Sequence, residues 1–269
     1  MQITNKSSER ARTTNYVCNQ CGAELKGTQT CARCNTDLAK EIETGHLARA
    51  YDVTPRRVRY VKEALSYHDR PREMLDLLKR SGVDLAKARL LIDVGCGPNL
   101  VRHVVAAEYP NVKVIGFDQY VLDGNLDIQP IDLENAKLPY KDGEVDVAIC
   151  SHVLEHVENA HRLTDELCRV ARNVVILLPN SILWTTLGKV ALRRSLLPMV
   201  GLGLEKPSDR HRWIYTVGEA TRWIRHVAGK WDRNLDIQYR TDWRLPTFMG
   251  RIHQDLFVLE MSFVLTSRG

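Results

Sequence analysis

The residues able to do chemistry fall into three groups. In the first, Asp93, Gly95 and Gly97 lie within Leu90–Asn99 (LLIDVGCGPN), and Asp118 closes Val114–Asp118 (VIGFD) 25 residues after Asp93. Each acid ends an apolar run, and the two glycines follow the first acid at a tight turn. This is the layout of a strand–turn–helix–strand unit that holds an adenosine-containing cofactor. Glycines let the cofactor approach the backbone, and the helix N-terminus offers its unbonded N–H groups. The dinucleotide fingerprint is broken, because Leu100 stands where its last glycine belongs; this removes a nicotinamide or flavin reading. No G-K-[ST] follows, so the turn is not a phosphate loop either.

The second group is imidazole-rich. His152 and His156 flank Glu155 in SHVLEHV, and His211 sits in DRHRW. Each can take a proton from an acceptor. His152 and His156 are four apart, so a helical segment would put them on one face. The competing reading makes the EHV tripeptide a structural turn into the next helix and leaves His211 to bind a substrate carboxylate or nothing.

The third group is Cys18, Cys21, Cys31 and Cys34, spaced C-x2-C-x9-C-x2-C. Each pair forms a tight knuckle that aims two thiolates at one ion, which gives a four-thiolate zinc site. Gly22 and Asn35 follow the second cysteine of each pair, where a knuckle needs a left-handed residue. The pattern resembles a zinc ribbon, and a module this small draws its folding free energy from the metal. The alternative is a redox pair. Cys96, Cys150 and Cys168 fall in apolar segments, so the seven cysteines suit a reducing compartment with a metal site.

These groups need elements to position them. From Arg89 onward, strands at Leu90–Val94, Val112–Phe117, Val145–Cys150 and Asn173–Leu178 alternate with helices at Leu100–Tyr109, Ala160–Val170 and Val217–Val227. Apolar strands separated by helices predict a mostly parallel, Rossmann-like α/β sheet covered on both faces. Asp255–Thr266 reads as a last strand with Leu235–Arg240 as its partner. Met74, Leu75, Leu77 and Leu78 mark an earlier helix that Gly82 ends, and Thr54-Pro55 opens another. The expected division is a disordered lead-in over 1–15, the zinc module over 16–37, a helical linker or cap over 38–84, and the catalytic domain over 85–269. A lid or substrate insertion over 180–215 interrupts the catalytic domain.

The bulk numbers fit that division. The chain has 269 residues, 44% hydrophobic and 26% charged, with a net charge of +5, which permits an anionic partner without requiring one. No apolar run of about 18 residues exists, so no transmembrane helix is expected. The polar start lacks the apolar core of a secretory signal, and a cytoplasmic location is the expectation.

DVGCGPN, GFD, LPYKDGEVDVAICSHVLEHV and RVARNVVILLPNS, in that order, resemble successive motifs of the class I S-adenosylmethionine-dependent methyltransferases, type-11 group. The resemblance covers Leu90–Pro179. It implies that Asp93, Gly95 and Gly97 line the methionine end of the cofactor. Asp118 would accept from both ribose hydroxyls, Gln119 would border the adenine, and Asp132 with Leu133 would meet the adenine amino group. Ser151 and His152 would close the fourth strand at the mouth of the site. Many relatives carry a third glycine where this chain has Asn99; asparagine tolerates left-handed angles, so the loop is expected to keep its shape.

A sulfonium is an activated methyl donor. The protein then supplies proximity and, for an oxygen or nitrogen nucleophile, a base; His152, His156 and His211 are the candidates. A Glu-His pair also contributes to a divalent-metal site in some quinone methyltransferases. His211–Thr216 resembles the substrate loop of the type-11 group. Two acceptor classes stay open. One is a small molecule, sugar or lipid-linked intermediate, for which the apolar run Leu196–Leu204 is suited. The other is RNA or DNA, delivered by the zinc module and by the basic helices of Thr44–Leu65, which faintly resemble a mercury-regulator helix-turn-helix. Those helices read equally as a cap over the cofactor pocket. The [DN]-P-P-[YF] signature of base N-methylation is absent. A third, non-enzymatic reading is a regulator that only binds the cofactor.

Overall fold

The structure is a computed structural model; it describes residues 70–97, 99–119, 128–135, 137–193, 211–241, 246 and 248–268, with two short strands nearer the N-terminus. The four cysteines of the expected zinc module, the Thr44–Leu65 segment and the Leu196–Leu204 run lie outside these residues.

The two short strands are β1 (Asn15–Val17) and β2 (Glu24–Lys26), paired antiparallel with Tyr16 opposite Leu25. The main sheet holds β3 (Leu90–Val94), β4 (Lys113–Asp118), β5 (Ile128–Pro130), β6 (Val145–Ser151), β7 (Ala171–Pro179), β8 (Arg233–Thr241) and β9 (Val258–Ser267). Their spatial order is β5-β4-β3-β6-β7-β9-β8. All are parallel except β9, which runs antiparallel between β7 and β8. The strand order reverses between β3 and β6, and the crevice at such a switch point is where open α/β sheets take their ligands.

Helices cover both faces. Alternation along β3 sends Ile92 and Val94 to one face and Leu91 to the other. On the first face pack α3 (Ala160–Val170) and α5 (Val217–Lys230), through Leu163, Leu167 and Ile224. On the second pack α1 (Arg70–Arg80) and α2 (Leu100–Glu108), through Leu75, Leu78, Val101 and Val105. α1 therefore belongs to the packed core. It ends as its sequence demands, with left-handed Gly82 at φ 81° and the Val83 N–H donating back to the Leu78 carbonyl at 2.9 Å. α5 starts on a reciprocal cap. The Thr216 hydroxyl accepts from the Glu219 N–H, and the Glu219 carboxylate accepts from the Thr216 N–H.

α4 (Trp184–Arg193) follows β7. Of the expected insertion over 180–215, residues 180–193 and 211–215 are described; α4 occupies most of the first stretch, and the second contains neither helix nor strand. Several boundaries shift by one to three residues from expectation, and the start of the last strand is one of them. The segment read as strand from Asp255 instead turns through α6 (Met249–Ile252) and α7 (Gln254–Phe257) before β9 begins at Val258. Asp255 is the cause: its carboxylate accepts from the Gly218 N–H at 2.9 Å and its carbonyl accepts from Asn180 Nδ2 at 2.7 Å. A strand could not satisfy both.

Candidate active site

The cofactor loop sits where β3 hands over to α2. Gly95 and Gly97 hold φ of 74° and 51°, and Asn99 sits at φ 53°, immediately before the helix. The third position of the loop thus keeps its left-handed angle with an asparagine. The buried Asn99 side chain lies beside Gly116 of β4: a Cβ there would meet Asn99 Nδ2 at 2.9 Å and Cys96 Sγ at 2.5 Å. Gly116 makes the room that the larger residue needs.

Asp118, at the carboxyl end of β4, accepts from the Gly97 N–H at 2.9 Å through Oδ2. The bond ties the glycine loop to the acid that the resemblance assigns to the ribose. Asp93 lies buried one strand away, and burial, with the Asp118 charge adding to it, pushes its carboxyl up to about 7. A buried acid half-protonated at neutral pH is suited to a cationic ligand, whose charge would draw the proton off. Gln119 is exposed, and Leu133 packs against the core. The Asp132 carboxylate accepts from the Glu134 N–H at 3.0 Å and from Asn135 Nδ2 at 3.1 Å, within its own turn.

The imidazole cluster stands beyond the end of β6. Residues after Ser151 form turns, not a helix, and His152 takes a left-handed φ of 55°. The two histidines therefore meet around Glu155 instead of sharing a helix face. His152 Nδ1 lies 3.5 Å from Glu155 Oε1, and His156 Nε2 lies 3.9 Å from the same oxygen. On the other side His152 Nε2 is 2.6 Å from Glu260 Oε2. Glu260 comes from β9, opposite Pro179, and its other oxygen meets Arg240 at 3.2 Å. Both carboxylates are buried, so the imidazole is held between two acids and its orientation is fixed.

His211 joins from a distant segment. The Glu155 carbonyl accepts from the Arg212 N–H at 2.7 Å, and Trp213 Nε1 donates to the Val157 carbonyl at 2.8 Å. These clamps bring the His211 ring to 4.7 Å from that of His156, at 83° to it. Glu155, His156 and His211 have ligand atoms within 4.8 Å of one another. One carboxylate and two imidazoles suit a divalent transition metal, and the buried Glu155 Oε2 has no hydrogen-bond partner among the described residues. The Tyr215 hydroxyl is likewise buried and without a partner there; burial, with the nearby Glu155, pushes its pKa well up. Cys96, Cys150 and Cys168 are free thiols. Burial pushes Cys168 up to about 12 and raises Cys96 and Cys150 well above the ordinary thiol range, so all three stay protonated and inert.

Sequence reasoning missed Glu260. A lone acid within the apolar strand VLEMSFVL was its one signal.

Residues 92–178 match the protein family described as Methyltransferase domain. The match supports a class I, S-adenosylmethionine-dependent methyltransferase domain over this stretch, and the chain is an enzyme. Among solved structures, the methyltransferase domain of a bacterial Hen1 protein is 19% identical with a TM-score of 0.44, over 74% of this chain and 97% of that one. A SAM-dependent methyltransferase from Archaeoglobus fulgidus is 15% identical with a TM-score of 0.47, over 75% and 98%. A small RNA methyltransferase, HEN1, is 15% identical with a TM-score of 0.53, over 74% of this chain and 25% of that one; it shares the fold. No curated protein matches the chain.

Proposed function

We propose that the enzyme transfers the methyl group of S-adenosylmethionine to an oxygen or nitrogen of a small-molecule, sugar or lipid-linked acceptor. The observation that carries this reading is the placement of the Glu155–His156–His211 cluster at the carboxyl end of β6, next to the glycine loop. The bound cofactor supplies a methyl group on a positively charged sulfur. Gly95 and Gly97 would give its methionine end access to the backbone, Asp93 would offset its positive charge, and Asp118 would accept from its ribose hydroxyls.

His152 takes the acceptor's proton, which leaves a stronger nucleophile. Glu260 holds the His152 ring in one orientation by accepting from Nε2–H. Glu155, His156 and His211 are the residues that would hold a divalent cation, which would lower the pKa of an acceptor hydroxyl. The test is labelled methyl transfer to fractionated cell extract. Label in small molecules or lipids, abolished by His156→Ala and His211→Ala with cofactor binding intact, supports the reading. Label in RNA or DNA instead would favour the nucleic-acid alternative.

We also propose that Cys18, Cys21, Cys31 and Cys34 hold one zinc ion. The spacing supports this, and so does the antiparallel pairing of β1 and β2, which bracket Cys18 and Cys21 in sequence. Metal analysis of the full chain tests it; Cys18→Ser with Cys31→Ser should remove the zinc.

A further inference from the structure

The mouth of the site carries an unusual crown. α4 leaves the carboxyl end of β7 and exposes Trp184, Leu187 and Leu192, the last 88% accessible. The segment clamped to Glu155 exposes Trp213 and Ile214. α6, which follows β8, comes shortly after Phe248 and ends at Ile252, and both side chains are exposed. β8 is antiparallel to β9 and β9 to β7, so the end of β8 lies at the same sheet edge as the ends of β7 and β6. Every large apolar side chain exposed among the described residues therefore stands at the one edge that also holds Gly95, Asp118 and His152.

α4 is inverted. Trp184, Leu187 and Ala191 are spaced i, i+3 and i+7 and all face outward, where a surface helix ordinarily turns that stripe to the core. Contiguous exposed apolar surface of this kind marks an interaction site. Charge identifies the occupant. Lys189 on α4 and Arg251 on α6 are exposed beside the apolar residues. The three described segments, 184–193, 211–214 and 248–257, carry Lys189, Arg193, Arg212 and Arg251 against the single acid Asp255. Tryptophan and leucine set among cations are the composition of a segment that lies in the headgroup layer of an anionic membrane. A bilayer also accepts side chains spread over three separate segments, since each inserts on its own. No helix among the described residues is long and apolar enough to cross a membrane, so such contact is peripheral.

We infer that this edge seats on an anionic lipid bilayer and that the site opens onto it, taking an amphiphilic acceptor from the membrane. The acceptor half of the inference rests on the methyl-transfer reading; the seating does not. Co-sedimentation of the full chain with vesicles therefore tests it without using activity. Vesicles of phosphatidylcholine containing one-third phosphatidylglycerol should carry the protein down, and vesicles of phosphatidylcholine alone should not. Trp184→Ser with Leu187→Ser and Leu192→Ser should weaken that partitioning by at least about tenfold, and cofactor affinity should stay unchanged. Phe248→Ser with Ile252→Ser, on the other side of the mouth, should weaken it independently. Tryptophan emission should shift to the blue on adding the anionic vesicles. Sedimentation with neither vesicle would overturn the inference. So would variants that sediment like the parent, which would mean attraction to any polyanion. The same holds if the triple variant turns a dimer into a monomer in size-exclusion chromatography, since a second copy would then cover the crown.

Discussion

Val153 presses on Gly95: a Cβ at Gly95 would lie 2.2 Å from Val153 Cγ2. The residue belongs to the SHVLEHV turn and the glycine to the cofactor loop, so the acid–imidazole cluster and the cofactor cradle share a contact with no spare volume.

Gly95→Ala should therefore damage cofactor binding twice over, by that collision and by its positive φ. Strain of about 1–3 kcal/mol corresponds to roughly a 5- to 150-fold loss of S-adenosylmethionine affinity. Adding Val153→Ala relieves the collision and leaves the backbone strain, so calorimetry on the double variant should show partial recovery. Full recovery would mean that the φ of Gly95 does not matter.

Asp93 gives the cofactor site a pH dependence. Its carboxyl is raised to about 7 by burial and by the Asp118 charge, so the empty fold holds a proton that the unfolded chain has lost. The stabilising effect of that proton is complete below the ordinary carboxylate pKa and is lost as pH rises through about 7. A cationic ligand should expel the proton. S-adenosylmethionine binding is then expected to strengthen from about pH 5 toward about pH 7 and to level off above. Titration calorimetry in buffers of different ionisation heat would read the released proton, and Asp93→Asn should abolish both the slope and the release.

Glu260→Gln removes the charged partner of His152 and keeps its shape. The expected result is a fall in kcat of about 10- to 100-fold with the cofactor Kd unchanged, because the ring loses its fixed orientation while the glycine loop is untouched. A parallel loss of cofactor affinity would instead make Glu260 a structural group of the whole cleft.

Leu78 is fully buried where α1 meets the second sheet face. Leu78→Ala should cost about 2–5 kcal/mol of stability, read by denaturant unfolding. A change below about 1 kcal/mol would mean that α1 is an appendage and not part of the core.

Much of this architecture was legible in the sequence because its signals are local. Leu90–Val94 and Ala160–Val170 match their elements end to end, since the first is an apolar run broken only by Asp93 and the second a 3.6-periodic run that opens after Asn159. Left-handed Asn99 followed from the glycine that many relatives carry there together with asparagine's tolerance of that angle. What failed to show was non-local. The turn at Asp255 is fixed by Gly218 and Asn180, far away in sequence. Glu260 acquires its role only through the β7–β9 register that places it opposite Pro179 and within reach of His152. The meeting of His156 with His211 depends on backbone clamps at Arg212 and Trp213 that no spacing rule encodes.

The insertion of β9 between β7 and β8 also sets an order of events during synthesis. β8 pairs only with β9, and His152 waits for a carboxylate 108 residues downstream. A nascent chain can build β3 to β7, with the glycine loop in place, while that half of the sheet still ends in an unpaired edge. Until residue 260 emerges from the ribosome, the chain can hold the glycine loop without Glu260 beside His152. The ion pair that orients His152 is thus among the last contacts the chain can make.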